Sequence, residues 1–243
     1  MAMPPMLKGA RLGRIDLVAD SRTSELASGA GTERRTQVDL SFYRRYGKRA
    51  LDVVLGSVLF IGLMPVMALA AIAVLVTSGW PVFYRAQRLG RYGRPLRMLK
   101  FRTMIRNADE ALPQLLDSDE TLAAEYRTNL KLSNDPRTTR LGAVLRKLSI
   151  DELPQLWHVI TGQMSLVGPR PYAANEIGLV SLHPEILEGT PGLTGPWQVG
   201  GRNQLPPNVR IAMESDYAQN VRLLSDLNHL VATVKCLLRP DGL

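Results

Sequence analysis

An uncharged apolar run from Val53 to Val76 is the feature that most constrains how this chain can fold. About 20 apolar residues are enough to cross a hydrocarbon core of roughly 30 Å as one helix, so the run predicts a membrane anchor. Pro65 lies near the middle of the run. A proline inside a helix removes one backbone hydrogen bond and clashes with the preceding turn, which predicts a break there.

Basic residues flank the run on both sides. Four lysines and arginines lie between positions 44 and 49, and eight more lie between positions 81 and 108, where no acid intervenes. Basic segments are retained on the cytoplasmic side of a membrane, so both ends of the run are expected there. We therefore predict a re-entrant helix-break-helix hairpin in the cytoplasmic leaflet that turns at Pro65. A straight transmembrane span is the alternative.

The size and charge of the chain limit the classes of protein that it can be. Its 243 residues allow one domain with accessory segments. A net charge of +8 favours an anionic partner. Because the basic residues flank the anchor and do not show the aromatic-basic interleaving typical of RNA-binding proteins, we expect anionic membrane lipids and no nucleic acid. No phosphate-binding glycine loop, dinucleotide fingerprint or zinc spacing is present in the sequence.

Composition divides the chain into three parts. Residues 1–38 are rich in small polar and charged residues and are expected to form a flexible tail. Residues 39–80 hold a basic approach and the membrane hairpin. Residues 81–243 are expected to form a cytoplasmic domain at the membrane interface, and the candidate catalytic residues lie in it.

Turn signals and apolar periodicity predict a mainly α domain with one small β-hairpin. The hairpin is expected between Pro81 and Met104, around a glycine-containing turn. Helices are expected at about 107–130 with an interruption at Pro113, up to Lys147, from Ser149 to about Ile160, and at about 172–181, 206–220 and 225–238. The glycine-rich segment GTPGLTGPWQVGGRN is expected to be a loop.

Two adjacent acids, Asp151 and Glu152, lie where a short helix is expected to begin. Ser149 and Glu152 have the spacing of a capping box, in which each side chain accepts a hydrogen bond from a free backbone amide at the helix start. A capping box does not require Asp151. The pair could therefore also provide a nucleophile and a metal ligand, and both interpretations remain open at the level of sequence.

Two arginines lie in segments suited to phosphate binding. Arg170 stands between two prolines, which restrict its backbone, and a guanidinium forms two parallel hydrogen bonds to phosphate oxygens. Pairing with a structural acid is the alternative for Arg170. Arg202 follows a glycine pair whose amides could approach an anion.

From Lys48 to the C-terminus, the sequence resembles the bacterial sugar transferases that are monotopic phosphoglycosyl transferases. The matching motifs are KRALDVVL before the apolar run, KFRTM, DPRTTRLGAVLRKLSIDELPQLWHVITGQMSLVGPRP and PGLTGPWQVGGRN. The GPWQV version resembles the exopolysaccharide branch, which transfers galactose 1-phosphate or glucose 1-phosphate.

This resemblance implies a reaction and a location. A UDP-sugar would donate its sugar 1-phosphate to undecaprenyl phosphate and release UMP, as the first step of exopolysaccharide biosynthesis. The protein would lie at the cytoplasmic face of the bacterial inner membrane. Downstream glycosyltransferases would be possible partners.

The resemblance also implies roles for individual residues. Asp151 matches a nucleophilic aspartate that forms a covalent phosphosugar intermediate, and Glu152 matches its Mg²⁺-binding partner. Four basic residues match positions around the phosphates, and one acid matches a polar residue of the site: these are Lys100, Arg146, Arg170, Arg202 and Asp226. Two alternatives remain, namely direct attack by the lipid phosphate with Asp151 only a metal ligand, and a non-catalytic membrane scaffold for polysaccharide assembly.

Overall fold

The computed structural model describes residues 42–129, 132–201 and 205–238. The predicted tail, residues 1–38, and Arg202 lie outside the described residues. Helices and strands follow one another in the order α1 Lys48–Ser78, β1 Phe83–Leu89, β2 Pro95–Phe101, α2 Ala108–Ser118, α3 Glu120–Asn129, α4 Arg140–Lys147, α5 Leu156–Thr161, β3 Ser165–Val167, α6 Ile177–Val180, α7 Pro184–Glu188, β4 Gly192–Thr194, α8 Pro196–Gly200, α9 Pro207–Gln219 and α10 Leu223–Leu237. The predicted class, mainly α with a small β-hairpin, is confirmed.

The apolar run forms helix α1, which a π-helical turn, Tyr43–Gly47, precedes. Among the described residues it is the one helix long and apolar enough to cross a membrane. The predicted break at Pro65 is wrong at the level of secondary structure, because the helix continues through this residue. A proline removes only one hydrogen bond of the helix, and the flanking turns remain helical while they pack on the domain.

One face of α1 packs against the rest of the protein along most of its length. Leu55, Leu59 and Leu63 contact a buried cluster that includes Leu156 and Val159. Further along the helix, Ala70 and Val74 belong to a second buried cluster with Val82, Phe101 and Leu145. The opposite face exposes a row of large apolar side chains, among them Val54, Val58, Ile61, Leu69, Ile72 and Val76. An apolar face of this length that no described residue covers suits contact with lipid.

Polar contacts hold both ends of α1 to the same domain. At the N-terminal end, Lys48 Nζ donates to the carbonyl of Val167 at 2.9 Å, and Arg49 donates to the carbonyls of Val159 and Ile160, each at 2.6 Å. At the C-terminal end, Arg102 donates to the carbonyls of Ser78 and Gly79. Side chains donating to helix-terminal carbonyls satisfy groups that would otherwise lack partners.

The predicted hairpin is confirmed. Strands β1 and β2 pair in antiparallel fashion around the turn Arg91–Gly93, and the register places Tyr84 opposite Lys100 and Ala86 opposite Met98. Tyr92 adopts a left-handed backbone in this turn, with φ of 58°. Buried Ala86 and Met98 tie the hairpin to the same cluster that contacts α1.

Two segments differ from the sequence-based expectation. The helical region after the hairpin breaks at Asp119 and not at Pro113, because Asp119 is extended and its carboxylate accepts from the amides of Thr121 and Leu122. The glycine-rich segment is not a simple loop, since β4 pairs with β3 in parallel. A Cβ at Gly192 would lie 2.2 Å from the nitrogen of Gly168, so glycine permits this close approach.

Candidate active site

A cavity of about 550 Å³ lies between the hairpin, the segment after β2 and a 3₁₀ helix, Ile150–Gln155. Its charged lining consists of five cations and three acids: Arg88, Lys100, Arg102, Arg106, Arg146, Asp109, Asp151 and Glu152. Four residues predicted from sequence therefore meet here: Lys100, Arg146, Asp151 and Glu152. An excess of positive charge in one cleft favours a polyanionic ligand.

The acid pair belongs to the first turn of the 3₁₀ helix. The predicted capping box is wrong, because the Ser149 side chain makes no capping hydrogen bond. Ser149 has a left-handed backbone with φ of 55°, whereas a capping residue is usually extended. The Glu152 carboxylate instead accepts from Lys100 Nζ at 2.7 Å.

Asp151 is buried, with 7% of its surface exposed, although it lines the cavity. Burial, and then the adjacent Glu152 carboxylate, raise the pKa of Asp151 to about 6, while Lys100 and Arg146 act in the opposite direction. With a pKa of about 6, the Asp151 carboxylate is mostly ionised at neutral pH although burial leaves it poorly solvated. A strongly perturbed acid inside a cleft is typical of a functional group.

Lys100 is positioned by the strand that carries it. The amide of Leu99, its neighbour in β2, donates to Nε2 of buried His158 at 3.1 Å, which links the strand to α5. This contact fixes the orientation of the strand at Leu99. Because successive side chains point to opposite faces of a strand, it also fixes the face from which the Lys100 side chain projects.

Arg146 enters the cavity from α4. Its Nε donates to Thr103 Oγ1 at 2.9 Å and its Nη1 to Thr138 Oγ1 at 3.2 Å. Helix α4 approaches the segment after β2 so closely that a Cβ at Gly142 would lie 2.0 Å from the carbonyl oxygen of Thr103. Arg146 forms no ion pair with a described residue, so its charge is available to a ligand.

Arg102 also lines the cavity and was not singled out from the sequence. It is 7% exposed and binds the carbonyls at the end of α1 through Nη2, while its Nε and Nη1 have no hydrogen-bond partner in the described part of the chain. Arg102 thus connects the exit of the apolar helix to the wall of the cavity. The sequence feature that could have identified Arg102 is its place in the KFRTM motif, two residues after Lys100.

The structure places Arg170 and Asp226 away from the cavity lining. Arg170 pairs with Glu176 at 2.6 Å, which agrees with the alternative of a structural acid, and its guanidinium lies over the rings of Tyr172 and Trp197.

Asp226 is 1% exposed and lies in the first turn of α10. Its carboxylate accepts from Lys48 Nζ at 2.7 Å, Tyr43 OH at 2.6 Å and Tyr217 OH at 2.7 Å. These contacts join the N-terminal end of the apolar helix to the last helix.

No group of three or more His, Cys, Asp or Glu side chains in the described ranges could hold a metal ion alone. Two adjacent carboxylates do line the cavity, Asp151 and Glu152. Mg²⁺ is usually bound by one or two carboxylates together with substrate phosphates and water. The donors present therefore fit a Mg²⁺ ion that arrives with a phosphorylated ligand.

Comparison with known proteins gives the family. A family profile described as bacterial sugar transferase matches residues 43–240. The exopolysaccharide production protein ExoY of Sinorhizobium fredii is 43% identical over 195 residues, which cover 79% of this chain and 86% of that protein. A UDP-glucose:undecaprenyl-phosphate glucose-1-phosphate transferase of Caulobacter vibrioides is 37% identical over 237 residues, covering 94% of this chain and 80% of that protein.

Other relatives are longer than this chain. The undecaprenyl-phosphate galactose phosphotransferase of Salmonella typhimurium is 41% identical over 199 residues, which are 82% of this chain but only 42% of that protein. The similarity in each case includes the region that builds the cavity and the acid pair. The chain belongs to the bacterial sugar transferase family.

Proposed function

We propose that this protein is a phosphoglycosyl transferase that moves a hexose 1-phosphate from a UDP-sugar to undecaprenyl phosphate. The observation that carries the proposal is the buried carboxylate of Asp151 in a cavity lined by cations. Relatives named for galactose and glucose 1-phosphate transfer to the same lipid support it. The product would be the first lipid-linked intermediate of an exopolysaccharide, extended by downstream glycosyltransferases.

In the proposed mechanism, an oxygen of Asp151 attacks the sugar-side phosphorus of the UDP-sugar. The bond from that phosphorus to the bridging oxygen breaks, UMP leaves with the electron pair, and an aspartyl-phosphosugar remains. A phosphate oxygen of undecaprenyl phosphate then attacks the same phosphorus, which releases the Asp151 carboxylate and forms the diphosphate-linked product. Dividing the transfer into two displacements makes each of them easier.

The cations have separate tasks in this scheme. Arg146, which has no acidic partner among the described residues, binds phosphate oxygens and offsets their repulsion from Asp151. Lys100 holds Glu152 at 2.7 Å and keeps that carboxylate beside the nucleophile. Glu152, with Asp151, would hold Mg²⁺, whose chemistry is to neutralise charge that develops on the leaving UMP.

The test of this function uses a UDP-sugar without any lipid acceptor. We expect about one equivalent of UMP per protein and a matching mass increase on the peptide that contains Asp151. Direct attack by the lipid phosphate predicts neither signal. The covalent route would therefore be ruled out if the protein turned over in the presence of undecaprenyl phosphate but, in the absence of this lipid, released no UMP and formed no adduct.

We also propose that α1 anchors the protein in the inner membrane and that both ends of the helix lie at the cytoplasmic face. Its 31 residues would span about 46 Å. Yet the same domain contacts the helix near Lys48, along its middle and at Ser78. A helix that crossed the bilayer upright would carry one end away from that domain.

Cysteine labelling in intact cells tests this topology. In a Cys236→Ser background, single cysteines at the exposed positions Arg45 and Gln87 should both resist a membrane-impermeant maleimide until the cells are permeabilised. The two sites flank α1. Labelling of only one of them in intact cells would show that the helix crosses the membrane.

A further inference from the structure

Tyr84 and Asp109 form a polar wall of the cavity next to the reacting groups. Tyr84 lies directly opposite Lys100 in the hairpin register, and both side chains line the cavity. Directly opposed residues of antiparallel strands have Cβ atoms about 5 Å apart. Lys100 in turn contacts Glu152, which neighbours Asp151. Only the Lys100 side chain therefore separates Tyr84 from the acid pair along this series of contacts.

Tyr84 is available for contact, since the residue is 45% exposed. Its hydroxyl donates to Asp109 Oδ2 at 3.3 Å, and Asp109 lies in the first turn of α2. Burial, and then Asp109, raise the pKa of Tyr84, so the phenol remains a hydrogen-bond donor. Asp109 forms no ion pair with a described residue, and an ionised carboxylate accepts about four hydrogen bonds.

The chemistry of this wall suits a ring that carries hydroxyl groups. A carboxylate accepts hydrogen bonds from hydroxyls, and an aromatic ring offers an apolar face beside a polar tip. In a UDP-sugar, the hexose is joined through one oxygen to the phosphorus that Asp151 would attack. The uridine is one phosphate further from that phosphorus. The hexose is accordingly the ring of the substrate nearest to the reacting phosphorus, in the cavity that Tyr84 also lines.

We propose that Tyr84 and Asp109 form the subsite for the transferred hexose, with the Tyr84 ring against the sugar face and the Asp109 carboxylate accepting from sugar hydroxyls. This inference rests on the proposed function, because it takes the phosphorus beside Asp151 as the sugar-side one. Asp109 then contributes to the choice between hexoses that differ in the orientation of one hydroxyl.

Binding measurements test the subsite without relying on turnover. Calorimetry in an Asp151→Asn background compares UDP-galactose, UDP-glucose and UMP on proteins with and without Asp109→Asn. We expect Asp109→Asn to weaken binding of the preferred UDP-hexose about tenfold, since hydrogen bonds to charged groups are the stronger ones. UMP, which lacks the hexose, should bind with unchanged affinity.

Matched variants separate this role from a general effect of charge. Glu110→Gln removes the same charge from the same helical turn, but Glu110 does not line the cavity, so UDP-hexose binding should not change. Tyr84→Phe should retain more affinity than Tyr84→Ala, because the phenyl ring keeps the apolar face.

Two results would overturn the proposal. Equal weakening of UMP and UDP-hexose by Asp109→Asn would assign the wall to the ribose, and no weakening of either would remove Asp109 from the subsite. Failure of the wild-type protein to release UMP from any UDP-sugar would count instead against the proposed function, whatever the binding contrast.

Discussion

Replacement of Asp151 by Asn is expected to reduce UMP release from a UDP-sugar by about 10³-fold or more, the usual scale for loss of a nucleophile. The amide is a weak nucleophile and cannot form the acyl-phosphate. Lys100 and Arg146 remain in the cavity, so the UDP-sugar should still bind. UMP release with and without undecaprenyl phosphate, together with the mass of the Asp151 peptide, measures the effect.

A matched control for this variant is Asp117→Asn, since Asp117 is exposed and does not line the cavity. It should release UMP at the wild-type rate. If Asp151→Asn kept full transfer to the lipid, Asp151 would not be the nucleophile and direct attack by the lipid phosphate would gain support.

The same variant should be more stable than the wild type at neutral pH. Burial and Glu152 raise the pKa of Asp151 from 3.8 to about 6, so the folded state disfavours the ionised form. At about 1.4 kcal/mol per pKa unit, the raised pKa lowers the stability of the wild type by about 3 kcal/mol above pH 6. Below pH 3.8, Asp151 is protonated in both the folded and the unfolded state, so this cost vanishes. Thermal unfolding in detergent at several pH values should show the difference shrinking as the pH falls from 7 to 4.

The second large effect is expected at Asp226. Asp226→Ala should lower the free energy of unfolding by about 3–5 kcal/mol, because it removes the ion-pair partner of the largely buried Lys48 ammonium. Only 15% of the Lys48 side chain and 1% of the Asp226 side chain are exposed. Tyr43 and Tyr217 would lose an acceptor as well. Denaturant unfolding in detergent measures the loss.

Two variants give this experiment its controls. Asp216→Ala removes an exposed acid from α9 and should change stability little. The double variant Lys48→Met/Asp226→Leu should recover much of the loss, because it removes both charges together. If Asp226→Ala left stability unchanged but raised KM for the UDP-sugar, Asp226 would contact substrate and not join α1 to α10.

Local patterns were sufficient for much of the secondary structure. The hairpin followed from two extended segments around Arg91–Gly93, and the short helix after Ser149 ends at Gly162, which has a left-handed backbone with φ of 84°. The motifs also predicted the partnership of Lys100 and Arg146 with the acid pair. All four residues line one cavity, although 45 or more positions separate Lys100 from the other three.

Other features depended on contacts between distant segments. The capping interpretation of Ser149 and Glu152 failed because Lys100, 52 positions before Glu152, binds its carboxylate. Arg170 pairs with Glu176, an acid six positions away, as the structural alternative expected, but the place of its guanidinium over the ring of the more distant Trp197 was not indicated by a local pattern. The flanking prolines predict a restricted backbone at Arg170 but do not identify the partner of its side chain.

By itself, the sequence determined that the chain carries an apolar helix between basic segments, because hydrophobicity and charge are properties of the residues alone. It also determined the acid pair, which is adjacent along the chain. Only the tertiary structure decided that α1 continues through Pro65 and packs along the domain, that Arg102 joins its end to the cavity, and that Asp226 is buried with Lys48. Each of these depends on which distant groups meet and on how completely water is excluded from them, and neither can be read from spacing.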